Sequence, residues 1–189
     1  MIKIGILGDI GSGKSHVARC FGYPVFNADK EVIKLYKNDL KVFKKLKKSL
    51  PKFIYSFPIN KSEITKAILF NNSNLKRIIK VVHKEVRKKM NAFLRKNKSK
   101  KILILDIPLL LENKINNKKD ILVFVESKKS DILKKLKKRK NFNEKLYRKF
   151  KDIQLPLSHK KKKSKFIIRN DFTNKSVKKS IKSILNQII

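Results

Sequence analysis

The residues best equipped for chemistry lie within the first fifteen positions. Gly8-Asp9-Ile10-Gly11-Ser12-Gly13-Lys14-Ser15 fits the pattern G-x-x-x-x-G-K-[ST], in which glycines let the chain curl until successive backbone N–H groups converge on phosphate oxygens. In such a loop the lysine, here Lys14, reaches the β- and γ-phosphates of a nucleoside triphosphate, and the hydroxyl of Ser15 takes Mg²⁺. Four of the chain's five glycines fall between Gly5 and Gly13, which concentrates them where the backbone must approach a ligand.

The loop works only between a strand and a helix, because the helix adds the positive end of its dipole to the anion site. Ile2, Ile4, Ile6 and Leu7 form an apolar run that reads as a strand buried on both faces, and a helix is expected from Lys14 to about Phe21. Pro24-Val25-Phe26 suggests a second short strand. Val32, Ile33, Tyr36, Leu40, Phe43 and Leu46 then recur at helical spacing up to Pro51. Further helices are expected near 62–70 and from Leu75 through Val82, Val86, Met90 and Phe93. Ile102 to Leu105 and Ile121 to Val125 are continuous apolar runs suited to interior parallel strands, and Phe166 to Ile168 gives a fifth. A basic helical stretch lies between the last two, and Val177, Ile181, Ile184, Leu185 and Ile188 mark an amphipathic terminal helix. The run Lys160 to Lys163 reads as a solvated loop. Strands alternating with helices give an α/β fold, a three-layer P-loop kinase architecture with a five-stranded parallel sheet.

GTP-specific proteins carry N-K-x-D after a strand, and Asn117-Lys118-Lys119-Asp120 has those letters but precedes the run Ile121 to Val125. Asp106-Ile107-Pro108-Leu109 also lacks the glycine of a γ-phosphate switch, so the tetrad is read as a polar loop. Phosphoryl transfer in an open, wet site would lose the phosphate to water, so closing pieces are expected. Residues 1–29, 96–128 and 161–189 form the expected nucleotide core, residues 30–95 a helical acceptor-binding insertion, and residues 129–160 a lid.

Lys+Arg total 51 against 14 for Asp+Glu, a formal charge of +37. A polyanion ligand is the obvious inference. Only seven of the cations are Arg, however, and a phosphate-clasping surface would use arginine freely. The excess of Lys, Asn and Ile is the bias of an AT-rich genome, so non-specific attraction to nucleic acid is expected but no specific site. Cys20 is the single cysteine, and His16, His83 and His159 are not at zinc spacing. A reducing cytoplasm is the expected compartment, with neither export nor a membrane span, since Gly8-Asp9 cuts short the apolar start.

In several ordered pieces the chain resembles the dephospho-coenzyme A kinase family over nearly its whole length. The loop with Val17-Ala18 resembles that family's opening, and Asn27-Ala28-Asp29 its D-A-D. His83 with Val86-Arg87 resembles H-P-x-[VI]-R, and Asp106-Ile107-Pro108-Leu109-Leu110-Leu111-Glu112 resembles D-x-P-L-L-x-E. Gln154-Leu155-Pro156, Lys160 and Phe166 to Asn170 resemble its Q-x-P…K…A-D-F-V-I-x-N stretch. The resemblance implies ATP-dependent phosphorylation of the ribose 3′-hydroxyl of dephospho-CoA, with Mg²⁺ as cofactor. Asp29 would be the general base, with Lys14 and Arg139 neutralising the transferring group. Gly8 through His16 (with Asp9, Ile10, Gly11, Ser12, Gly13, Lys14 and Ser15) would bind the nucleotide with Arg139 and Asn170, the latter bordering adenine. Ser15 and Asp106 would hold the metal, and Asp29, His83, Arg87, Asp106, Leu109 and Glu112 would address the acceptor.

Four positions depart from the family pattern. Asp9 replaces Gly and is expected to turn its carboxylate to solvent, away from phosphate; Asn27 replaces the first Asp of D-A-D; Lys84 replaces Pro, and Lys165 replaces Asp. A nucleoside or nucleotide monophosphate kinase uses the same loop and lid logic. A basic P-loop ATPase acting on nucleic acid is the reading from another class, although no stacking pattern or recognition module accompanies the charge.

Overall fold

The computed structural model describes residues 1–140 and 142–189. Five strands, β1 (Ile2–Gly8), β2 (Val25–Asn27), β3 (Ile102–Asp106), β4 (Ile121–Glu126) and β5 (Phe166–Arg169), form one parallel sheet in the order β2-β3-β1-β4-β5. The chain divides into two compact units, the first comprising Met1–Asn27, Asn97–Phe142 and Ile153–Ile189, the second Ala28–Lys96 and Asn143–Asp152.

The first unit holds the sheet. β3 is buried along its whole length, as a continuous run of Ile and Leu between two neighbours requires. The helices α1 (Lys14–Cys20) and α9 (Asn174–Ile188) supply Val17, Ala18, Val177, Ile181 and Ile184 to a core with Ile4, Ile6, Ile102, Ile104, Val123, Val125 and Ile168. Gly5 is closely packed, since a Cβ there would lie 2.5 Å from Leu110 Cδ2 and force that side chain to shift. β1 is flanked by β3 on one side and β4 on the other. β1 connects onward to β2 on one side and its neighbour β4 to β5 on the other, so the connections leaving the C-terminal ends of these two strands diverge, which opens a crevice where α/β sheets bind ligands.

The second unit is built from α2 (Ala28–Asn38), α3 (Leu40–Ser49), α4 (Lys61–Phe70), α5 (Asn72–Lys96) and α7 (Glu144–Asp152). Its core gathers Leu35, Val42, Leu46, Ile54, Ile64, Ile68, Leu75, Ile78, Val82, Val86 and Met90. The helical periodicity running to Pro51 is interrupted at Asp39, whose side chain accepts from Val42 N (3.0 Å) and caps α3. Glu63 is buried and gathers the loop before α4, accepting from the Tyr55 N–H (2.9 Å) and the Ser56 hydroxyl. Burial opposes its ionisation, yet the hydrogen bonds from Ser56, Tyr55 and Asn60 hold its carboxyl below the usual carboxylate range.

Among the described residues the basic stretch between β4 and β5 holds three helices, α6 (Lys129–Lys137), α7 and α8 (Leu157–Lys163). Residues 129–160 thus divide between the two units, with 143–152 grouped with the helices of the second. The lysine run is helical rather than a solvated loop, and Lys160 is 1% exposed. Asn117 to Asp120 form a turn, as read, and Asp120 is spent on Lys3 of β1 at 2.8 Å. Among the described residues no helix is long and apolar enough to cross a membrane.

Candidate active site

The loop from Gly8 to Ser15 leaves the C-terminal end of β1 and enters α1, where the strand and helix expectations put it. Gly11 and Gly13 have φ of 84° and 89°, a left-handed conformation that costs glycine little. Both are also crowded: a Cβ on Gly11 would lie 3.0 Å from Ile132 and Leu136 of α6, and one on Gly13 would lie 2.3 Å from Asn170 Nδ2. Sequence and packing therefore require glycine at these two positions for two separate reasons.

Two donors from outside the loop hold its middle. The Ser12 carbonyl accepts from Asn170 Nδ2 at 2.8 Å and from Ser127 Oγ at 3.1 Å. Asn170 is buried and its Oδ1 accepts from Phe172 N at 2.9 Å, so its amide ties the loop to the turn after β5. Nothing in the sequence marks Ser127, whose hydroxyl is placed only by the end of β4.

Within the loop Lys14 Nζ donates to the carbonyls of Asp9 (2.7 Å) and Gly8 (3.3 Å). Ser12 N donates to Asp9 O at 3.1 Å. Among the described residues the N–H groups of Gly11, Gly13 and Ser15 take no protein acceptor. Unmet donors on a glycine-rich curl at a helix start, with a lysine beside them, suit a polyphosphate. Among the described residues the buried Ser12 hydroxyl has no hydrogen-bond partner. His16 lies in the first turn of α1, its Nε2 3.5 Å from Cys20 Sγ.

Asp9 does not turn to solvent. It is 7% exposed, and its Oδ1 accepts from Ile10 N at 2.7 Å. The expectation weighed repulsion from phosphate alone; a backbone donor one residue away holds the carboxylate inside the loop.

Asp106 closes β3 and is 2% exposed. Its register partner on β2 is Asn27, whose Nδ2 donates to Asp106 Oδ2. Leu109 is half-buried and its carbonyl accepts from Asn113 Nδ2 at 2.7 Å. Glu112 faces α8: its Oε1 lies 2.6 Å from Lys160 Nζ and accepts from Leu155 N at 3.0 Å, while Lys160 also donates to Gln154 Oε1 at 3.1 Å. Lys160 emerges as the buried partner of Glu112, with half-buried Gln154 as its second acceptor, a pairing that spacing in the chain could not disclose. Arg139 is exposed just beyond α6, its N–H on Leu136 O at 3.0 Å.

The remaining candidates belong to the second unit. Asp29 is exposed in the first turn of α2, where a carboxylate suits the helix dipole. His83 and Arg87 lie one turn apart on α5 and border a cavity of about 410 Å³ with Lys84, Lys88 and Asn91. That lining is cationic and fits an anionic group. The first unit thus gathers the loop, Asn170, Asp106, Leu109, Glu112 and Arg139, and the second Asp29, His83 and Arg87.

The fold has close relatives among solved structures. A crystal structure of a Thermus thermophilus protein superposes with a TM-score of 0.80 at 24% identity, covering 100% of this chain and 98% of that one. The dephospho-CoA kinase from Campylobacter jejuni gives a TM-score of 0.64 at 19% identity, with 98% and 96% covered. A protein of Wolbachia pipientis wMel named dephospho-CoA kinase is 34% identical over 190 residues, 98% of this chain and 97% of the relative. The family model for CoaE, dephospho-CoA kinase, matches residues 2–176. With a glycine-hinged phosphate cradle at its amino end and the family's pattern along its length, the chain belongs to the dephospho-CoA kinase family.

Proposed function

We propose that this protein transfers the γ-phosphoryl group of ATP to the ribose 3′-hydroxyl of dephospho-CoA, giving coenzyme A and ADP. The observation that carries the reading is the loop of Gly8 to Ser15, with unmet N–H donors and Lys14 in a chain of this family. Lys14 exchanges its two loop carbonyls for phosphate oxygens and offsets the charge that spreads over the transferring group. Arg139 adds a second positive charge to the same group. Asp29 accepts the proton of the attacking 3′-hydroxyl, which makes that oxygen nucleophilic as the new P–O bond forms and the bond to ADP breaks. His83 and Arg87 hold anionic parts of the acceptor, and Leu109 borders it.

Ser15 and Asp106 are the residues that would hold Mg²⁺, which when bound offsets charge on the nucleotide phosphates. A hydroxyl and a carboxylate are hard oxygen donors, the set this ion takes. The cytoplasm, where ATP is abundant and the Cys20 thiol stays reduced, is the compartment that fits.

The test is a coupled assay of ATP consumption that compares dephospho-CoA with AMP, adenosine and cytidylate. Dephospho-CoA is expected to be preferred by about 100-fold or more in kcat/KM; a preference for cytidylate or AMP would make the chain a nucleotide kinase instead. Lys14→Ala is expected to lower transfer by about 10³-fold with the far-ultraviolet circular dichroism unchanged. Retained activity would contradict the role given to the loop.

A further inference from the structure

We infer that Asn27 is a positioning residue for the divalent cation, acting through Asp106. The inference rests on the assignment of Asp106 to Mg²⁺ made above and goes one residue beyond it. Asp106 is 2% exposed at the end of a wholly buried strand, and an ionised carboxylate in that position needs partners. Asn27 provides one. The two residues face each other in the β2/β3 register, and the amide Nδ2–H is given to Asp106 Oδ2. Among the described residues Asp106 Oδ1 has no protein partner.

The arrangement is directional. A carboxylate with both oxygens free rotates about its terminal torsion, which is a broad and soft one. Fixing Oδ2 with an amide hydrogen sets the plane of the group and leaves Oδ1 as its unengaged oxygen. Asparagine suits the task because it is neutral and carries two N–H donors. Aspartate here would offer Asp106 only a like charge unless it were protonated. Hydrogen bonds of this kind to a ligating carboxylate change metal affinity about 10- to 100-fold when removed. The ladder makes the partnership a product of strand register, since a slip of one residue would turn Asn27 to the opposite face of the sheet.

The probe is Mn²⁺, followed by electron paramagnetic resonance as it binds the full-length enzyme with ADP. Asn27→Ala and the near-isosteric Asn27→Leu are each compared with wild type and with Asp106→Asn, and ADP affinity is measured separately in EDTA. Both Asn27 variants are expected to bind Mn²⁺ about 10- to 100-fold more weakly, with ADP affinity in EDTA unchanged. If Asp106→Asn loses Mn²⁺ and the Asn27 variants keep wild-type affinity, the positioning role is wrong and the metal assignment stands. If Asp106→Asn retains wild-type Mn²⁺ binding, the metal assignment fails and takes the inference with it. Loss of ADP binding in EDTA together with Mn²⁺ binding would make Asn27 a structural residue only and would also overturn the inference.

Discussion

At the level of single residues the proposed reaction rests on Asp29 and Lys14, which would act by different means. The Lys14 amine already rests on the loop carbonyls, so it is held in position and would change partner on binding. Asp29 as the proposed general base would have to accept a proton, and Asp29→Asn removes that capacity with little change in shape. The expected outcome is a fall in kcat of about 10²- to 10⁴-fold with KM for ATP nearly unchanged, checked by steady-state kinetics with both substrates varied. Near-normal kcat would remove Asp29 from the chemistry. Asp9 shows how far a residue type can mislead when read alone. An anion in a phosphate loop looks misplaced, yet the carboxylate is buried and accepts from the Ile10 N–H one residue along the backbone.

Among the elements, α8 carries the largest surprise. Its sequence is mostly lysine, and Lys161, Lys162 and Lys163 are indeed exposed, but Lys160 is enclosed with Glu112 and Gln154. The ion pair joins the segment after β3 to the segment before β5, which clips together two connections of the sheet unit. Its cost and gain are separable. Lys160→Met leaves Glu112 buried without its counter-ion and is expected to destabilise the protein by about 3–5 kcal/mol. Replacing both, with Glu112→Leu beside Lys160→Met, is expected to recover most of that loss, because two apolar groups need no partner. Urea titration of the single and double variants checks the difference. A double variant as unstable as the single would show that the pair itself, rather than the unpaired charge, is what stability depends on.

The whole molecule carries +37 on 189 residues. Among the described residues Lys160 is the only basic side chain in the buried class, so the charge is spread over solvated faces and its effect is long-range. Such a field attracts any polyanion and is screened within about 8 Å at physiological salt. Binding to a short RNA or DNA duplex is therefore expected to be detectable at low salt, indifferent to sequence, and weaker by about 10³-fold or more at 200 mM salt. Fluorescence anisotropy across a salt series measures it. Tight, sequence-dependent binding at physiological salt with RNA-stimulated ATP turnover would instead make the nucleic acid a substrate.

The sequence by itself determined the phosphate loop, the parallel sheet and most of the helices. Glycines, strand-length apolar runs and helical periodicity are local signals, written over a few adjacent residues. It also carried the family through motifs spread from Gly8 to Asn170. Tertiary structure alone decided the partnerships. Asn27 meets Asp106 only because β2 pairs with β3 in one register; Lys160 meets Glu112 only because α8 folds under the connection after β3; and Asn170 reaches Ser12 only because β5 ends where the loop turns. Each pair is separated by dozens of residues or more along the chain, and hydrogen bonds at such separation are set by packing, which no local pattern encodes.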